Sequence, residues 1–219
     1  MIGPLSLALA PVVPSVARAF DIPLRLAGAT GVALTFDDGP HPEGTPAVLE
    51  VLAGGGARAT FFLVGEQVQR RPSLAAQIVA AGHAIALHCH RHRLELRLSG
   101  AELETDFRRA TAAIEDATGV SPRWHRPPYG VYSAAGLEAA RGAGLRPLLW
   151  SRWGKDWRRI TTPARIAARA SRDLSAGDVI LLHDADFYSS RGSHRRTVEA
   201  LPTIMKELSR RNLATVLPV

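Results

Sequence analysis

Thr35-Phe36-Asp37-Asp38-Gly39-Pro40 follows the apolar run Gly31-Val32-Ala33-Leu34, and the fold turns on how this stretch is read. The apolar run reads as a buried strand, and Gly39-Pro40 breaks it into a turn. Side chains of a regular strand alternate between its two sides, so Asp37 and Asp38 cannot both face the core. Buried carboxylates without partners are costly; the pair calls for a cation, strong donors or water. A polar strand end with one Asp capping a loop would satisfy the same six residues. The remainder of the chain decides between the two.

Outward from this stretch, short apolar runs alternate with helical patterns. The strand candidates are 32–36, 59–64, 84–88, 123–126, 145–150, 179–183 and 214–217. One helix opens at Thr45-Pro46 and stops at the glycines 54–56, and another ends at Gly82. The clearest starts at Ser99 with Glu102 three residues on, a capping box, and ends at Gly119. Two more start at Thr162-Pro163 and near Ser193, the last running to about Arg211. Strands separated by helices imply an α/β fold with parallel strands and crossover helices. Residues 31–219 read as one domain and 1–30 as an N-terminal arm packing on it. Periodicity leaves open whether the sheet closes into a barrel. A barrel would carry its site on the loops after the strands' C-terminal ends. Asp37, Asp38, His88, Arg126, Asp156 and His183 all lie at or just past such ends.

The 219 residues are 46% hydrophobic and 21% charged, which suits a globule with a sizeable core. The formal net charge is +7, nearly all of the positive charge being arginine, and this favours an anionic or envelope-associated partner. No basic stripe interleaves with aromatics, so nucleic acid is not the expected partner. Cys89 is the only cysteine, which excludes an internal disulfide. Residues 1–13 are apolar but lack a positive start and carry Pro4 and Pro11; they make a poor signal peptide and are too short to span a bilayer.

A second chemistry-bearing cluster is His88-Cys89-His90-Arg91-His92. Fully extended, His88 and His92 would stand about 13 Å apart, too far to share an ion bound at about 2.1 Å from each. The chain must turn after His88 if they do; one helical turn would bring them within about 6 Å. Such a pair plus one carboxylate makes a three-ligand site with open positions, the arrangement of a catalytic zinc centre. A basic exposed loop is the competing reading. His90 reads as a neighbour, and Cys89 as a core residue pointing away from His88. In Arg126-Pro127-Pro128-Tyr129-Gly130, two prolines remove two donors, leaving the Tyr129 amide as the first free one after Arg126. That amide can form half of an oxyanion hole, and Arg126 can pair with a carboxylate such as Asp37. Trp153-Gly154-Lys155-Asp156-Trp157 and the apolar strand ending at His183 complete the set; a His on a rigid strand end suits a proton donor.

Taken in order, these five stretches resemble the polysaccharide deacetylases, carbohydrate esterases of family 4 that carry the NodB-homology domain. The resemblance covers the chain from about Val32 onward; the TFDDG and RPPYG stretches are its most specific motifs. It implies a distorted, TIM-like (β/α)7 barrel binding one divalent ion, usually zinc, with cobalt, nickel or manganese as alternatives. Asp38, His88 and His92 would hold the ion and Asp37, kept in place by Arg126, would be the general base. His183 would be the general acid, with Asp156 tuning it or anchoring Arg126. Trp157 and Leu181 would form a slot for the acetyl methyl, with Pro127 and Tyr129 also contacting substrate. Two departures stand out. Cys89 replaces the Ser or Thr that usually follows the first His, and Trp153-Gly154-Lys155 stands where acidic or small residues are common.

The implied activity is N-deacetylation of N-acetylglucosamine units in a peptidoglycan- or chitin-like oligo- or polysaccharide. An O-acetyl esterase and a catalytically silent carbohydrate-binding relative are the alternatives. The expected partner is a glycan, not nucleic acid or membrane, and the expected state a monomer. The export signal is unconvincing, so the cytoplasm is the default location, although such substrates lie in the cell envelope.

Overall fold

The computed structural model describes residues 7–218. The arm residues 1–6 therefore lie outside the described residues. In chain order the elements are helix α1 (Pro14–Ala19), strand β1 (Ala33–Asp37), α2 (Gly44–Gly54), β2 (Ala59–Val64), α3 (Gly65–Arg70), α4 (Pro72–Ala80), β3 (Ala84–Cys89), α5 (Gly100–Thr118), β4 (Trp124–His125), α6 (Ala134–Gly142), β5 (Arg146–Pro147), β6 (Arg152–Trp153), α7 (Pro163–Ala170), β7 (Val179–His183) and α8 (Ser193–Arg210). The seven strands form one sheet in the order β5-β4-β3-β2-β1-β7-β6, every pairing parallel.

This order forces the sheet to curl. Its edge strands β5 and β6 are consecutive in the chain, with only residues 148–151 between them. Five peptide steps reach at most about 18 Å, whereas a flat sheet of seven strands would hold its edges about 29 Å apart. The result is the curled half-barrel of a distorted (β/α)7 fold, closed along one seam by the linker itself. Leu148 and Leu149 in that linker are both buried.

Parity along the strands separates the two cores. Leu34, Phe36, Phe61, Leu63, Ile180 and Leu182 face outward and pack with helix residues such as Leu52, Ile78, Ile166 and Leu201. Ala33, Phe62, Ala86, Val179 and Leu181 face inward and pack with Leu7, Ala10, Ala17 and Ile22 from the N-terminal segment, and with Leu148–Trp150. Asp37 and His183 share the inward parity, and the register pairs them directly across β1 and β7.

Several sequence expectations need correction. The run 145–150 is not one strand: β5 ends at Pro147, and β6 begins on the opposite edge of the sheet. Residues 214–217 contribute one isolated bridge, Thr215 to Val32, rather than a strand. The helix expected to end near Gly82 is formed as α4; the short helix α3 before it, separated by a break at Arg71, was not expected. Helix α6 was not foreseen; Ser133 caps it by accepting from the Gly136 amide at 2.9 Å. The capping box at Ser99 and Glu102 is formed as expected, and Gly119 ends α5 in the left-handed conformation.

Candidate metal and catalytic centre

The site is a cavity of about 300 Å³ at the C-terminal ends of the strands. Asp37, Asp38, His88, His92, Tyr129, Trp157, Leu181 and His183 line it, joined by Trp150, Trp153, Tyr188 and Ser189. Pro127 is buried and is not among these residues, contrary to its expected substrate contact.

Asp37 and Asp38 do line one pocket, although strand alternation opposes it. Asp38 adopts a left-handed backbone, φ 81°, which swings its carboxylate to the side that Asp37 already faces. For a non-glycine residue this costs on the order of 1–2 kcal/mol. Directly after it, Gly39 packs against the Asp184 carboxylate so closely that a side chain there would collide with it. Asp184 itself accepts from Thr45 Oγ1 and is fully buried. Burial pushes its pKa up to about 7.

His88 gains its direction from a bulge. Leu63 pairs with Leu87 and Val64 with Cys89, so His88 faces no residue of β2. Beyond it the chain bends at His90-Arg91 rather than forming a helical turn, and the two imidazoles come to rest 5.3 Å apart. The bend is held by Asp106 of α5, whose carboxylate accepts from the amides of His90 and Arg91. Asp106 escaped the sequence reading; its signal was a charge on the apolar stripe Leu103-Phe107-Ala110. Cys89 is buried, its thiol pushed up by burial, so thiolate ligation is disfavoured. His92 is flanked by Tyr188, stacked at 4.1 Å, and by the edge of Tyr129 at 4.8 Å.

Asp38, His88 and His92 fit a divalent ion. Asp38 Oδ1 lies 3.4 Å from His88 Nε2 and 3.3 Å from His92 Nε2. A tetrahedron with bonds of about 2.1 Å has edges of about 3.4 Å. His88 Nδ1 lies 2.7 Å from the carbonyl of Arg126, so it carries the proton and leaves the Nε2 lone pair facing Asp38. Asp38 Oδ1 is buried with no hydrogen-bond partner. Two imidazole Nε2 atoms converging on an orphaned carboxylate oxygen, one of them with its lone pair fixed toward it, define a place for positive charge.

A second cluster with similar spacing, His41, Asp186 and His194, fails the same test. His41 Nδ1 accepts from the amides of Glu43 at 3.2 Å and Gly44 at 2.9 Å. Its proton therefore sits on Nε2, which faces Asp186 Oδ1 at 3.3 Å as a donor rather than a ligand.

Behind the cavity, Arg126 is wholly buried. Nη1 donates to Asp37 Oδ1 at 2.7 Å and to Thr35 Oγ1 at 2.9 Å; Nε and Nη2 donate to the carbonyls of Leu148 and Leu149. Asp156 takes the other expected role: Oδ1 meets His183 Nδ1 at 2.9 Å, and Oδ2 accepts from the His183 amide and from Thr197 Oγ1. Asp156 thus serves His183 and not Arg126. Burial works against the charged imidazole, but the charge and hydrogen bond of Asp156 outweigh it and push His183 up to about 10. Nδ1 is committed to Asp156, which leaves Nε2–H as the free donor of the ring, beside the edge of Trp157 at 5.5 Å.

Comparison with known proteins agrees with this geometry. The polysaccharide deacetylase family model matches residues 27–148. The chain is 37% identical over 182 residues to a peptidoglycan-N-acetylglucosamine deacetylase of Bacillus cereus, covering 82% of each chain. It is 35% identical over 193 residues to a chitooligosaccharide deacetylase of a Bradyrhizobium species, covering 85% of this chain and 88% of the relative. Among solved structures, a family 4 carbohydrate esterase from Streptomyces lividans, in complex with acetate, superposes with a TM-score of 0.77 at 32% identity, over 87% of this chain and 94% of that one. The chain belongs to the polysaccharide deacetylase family.

Proposed function

We propose that the protein hydrolyses the N-acetyl group of N-acetylglucosamine units in a peptidoglycan- or chitin-like glycan, releasing acetate. The observation that carries this reading is the enclosure in one cavity of a carboxylate backed by arginine, a carboxylate with two imidazoles, and an imidazole backed by a second carboxylate. Asp38, His88 and His92 would hold the divalent ion, with zinc the best fit to two nitrogens and one oxygen. When bound, such an ion supplies Lewis-acid polarisation of the acetamide carbonyl and acidifies water.

The protein's own residues supply the rest. Asp37 accepts a proton from the water that attacks the acetamide carbon; Arg126 and Thr35 hold it in place from behind. The carbonyl π electrons move onto oxygen, and the Tyr129 amide donates to that oxygen, a contribution on the order of 3 kcal/mol. Collapse breaks the C–N bond. An amine anion is too poor a leaving group to depart alone, so His183 gives its Nε2 proton to nitrogen. The products are acetate and a free amino sugar. Trp157 and Leu181 offer the methyl group an apolar wall. An alkoxide leaves more easily than an amine anion, so a positioned proton donor such as His183 matters more for the amide than for the ester.

Purified protein supplied with zinc or cobalt is expected to release acetate from chitooligosaccharides or peptidoglycan fragments. Asp37→Asn should lower kcat by at least about a hundredfold; equal activity would remove Asp37 from the mechanism. Elemental analysis of wild type against His88→Ala and His92→Ala checks the ligands, and unchanged occupancy would refute them.

A further inference from the structure

One flank of the cavity carries concentrated, uncompensated positive charge. The loop after β6 and the loop before α8 are joined there: the Ser190 amide donates to the Trp157 carbonyl at 3.2 Å, and Arg196 Nη2 donates to the Arg158 carbonyl at 3.1 Å and to Ser190 Oγ at 2.8 Å. Trp157 and Ser189 line the cavity, and the exposed Arg158 and Arg191 follow them within two residues in the chain. Lys155, Arg158, Arg159 and Arg191 lie on these two loops, and Arg196 on the first turn of α8. Arg158, Arg159 and Arg191 are exposed.

None of the five forms an ion pair with an acid among the described residues. The sequence holds no Asp or Glu from Trp157 to Arg172, nor from Phe187 to Val198. Three acids of the surrounding loops and helices are engaged elsewhere: Asp156 by His183 and Thr197, Asp186 by Gly192 and the histidines, Glu66 by Tyr188; Glu199, one turn along α8 from Arg196, forms no ion pair with it. Arg196 Nε is buried without a partner. Lys155 has a left-handed backbone, φ 53°, and its ammonium lies 4.3 Å from the centre of the Trp153 ring. Trp150, Trp153 and Trp157 follow one another at 5.5 and 5.4 Å along the same wall. Aromatic faces beside fixed cations suit a ligand with apolar sugar faces and negative substituents.

We infer that this flank is an extended subsite that selects glycans bearing carboxylates on the sugars next to the N-acetylglucosamine being processed, over neutral glycans of the same length. The inference deepens the deacetylase reading and rests on it. The lactyl carboxylates of a peptide-free peptidoglycan strand have this chemistry; chitin has no counterpart.

The test compares two tetrasaccharides: peptide-free N-acetylglucosamine–N-acetylmuramic acid repeats, and chitotetraose. Calorimetry should show wild type binding the carboxylated chain about tenfold more tightly. The triple variant Arg158→Gln/Arg159→Gln/Arg191→Gln should lose that preference and bind chitotetraose within about twofold of wild type, since these side chains are exposed and fold-neutral. Raising salt to about 0.5 M should erase the preference in wild type without any mutation. Equal binding of both glycans by wild type, or a preference that survives the triple variant, overturns the inference. Acetate release by wild type against Asp37→Asn reports separately on the deacetylase reading, so the two can fail independently.

Discussion

Glu95 is a charged residue type placed where charge is expensive. It is 1% exposed, and burial pushes its pKa up to about 8. Its neighbours explain how it is accommodated. Tyr132 donates its only hydroxyl proton to the His125 carbonyl at 3.0 Å, so the contact of His125 Nδ1 with the same hydroxyl at 3.1 Å must be an N–H donation. His125 Nε2 is then a bare lone pair, 3.7 Å from Glu95 Oε1, and neither atom has another partner. A neutral carboxylic acid presents a proton there; a carboxylate would present a second lone pair. Folded Glu95 therefore keeps its proton well above the ordinary 4.5, and the sign of the linkage follows. From about pH 4.5 to about pH 8 the unfolded chain has released this proton and the folded chain has not, so stability falls as pH rises. Glu95→Gln keeps a donor toward His125 without a titrating group. Its denaturant-measured stability should decline less than that of wild type between about pH 5 and about pH 8, by on the order of a few kcal/mol. Parallel pH profiles would mean that Glu95 does not titrate in this range.

At the level of elements, the loops carry the site and the helices behind them fix its geometry. The motif residues were legible because each pairs an unusual residue type with a strand end: the Asp pair after 32–36, His88 closing 84–88, His183 closing 179–183. Asp106 and Thr197 were not, since each acts from a helix distant in sequence on a loop it merely touches. Spacing alone also suggested a helical turn between His88 and His92, where the chain uses a bend tied to α5. Asp106→Ala should leave the fold standing and release that bend. Zinc affinity, measured by chelator competition, should fall about 10- to 100-fold, as when other outer supports of metal ligands are removed. Retained affinity would assign the bend to the backbone of 90–92 itself.

Over the whole molecule, periodicity revealed alternating strands and helices but not closure. Closure depends on the strand order, and the order depends on which edges residues 145–153 join; read as a single strand, that segment conceals the seam. Arg126 bridges β1 and the linker at this seam, with Asp37 and Thr35 on one side and the carbonyls of Leu148 and Leu149 on the other. Arg126→Leu leaves Asp37 buried and unpaired and strips both carbonyls of a donor. It should cost on the order of 3–5 kcal/mol of unfolding free energy. Asp37→Asn keeps a side-chain oxygen for Arg126 but leaves its buried charge without a counter-ion; with the guanidinium's other hydrogen bonds intact it should cost less, on the order of 2–3 kcal/mol. Comparable losses in the two would place the closure of the seam elsewhere.

The asymmetry of that bridge bears on how such a protein can fall silent. Its guanidinium is keystone and chemical accessory at once, whereas the carboxylate it braces ties nothing to the linker and serves chiefly the chemistry. Drift that erases activity can replace the acid and leave a sound barrel, a ready-made sugar-holding shell. Drift that begins at the arginine opens the wall first.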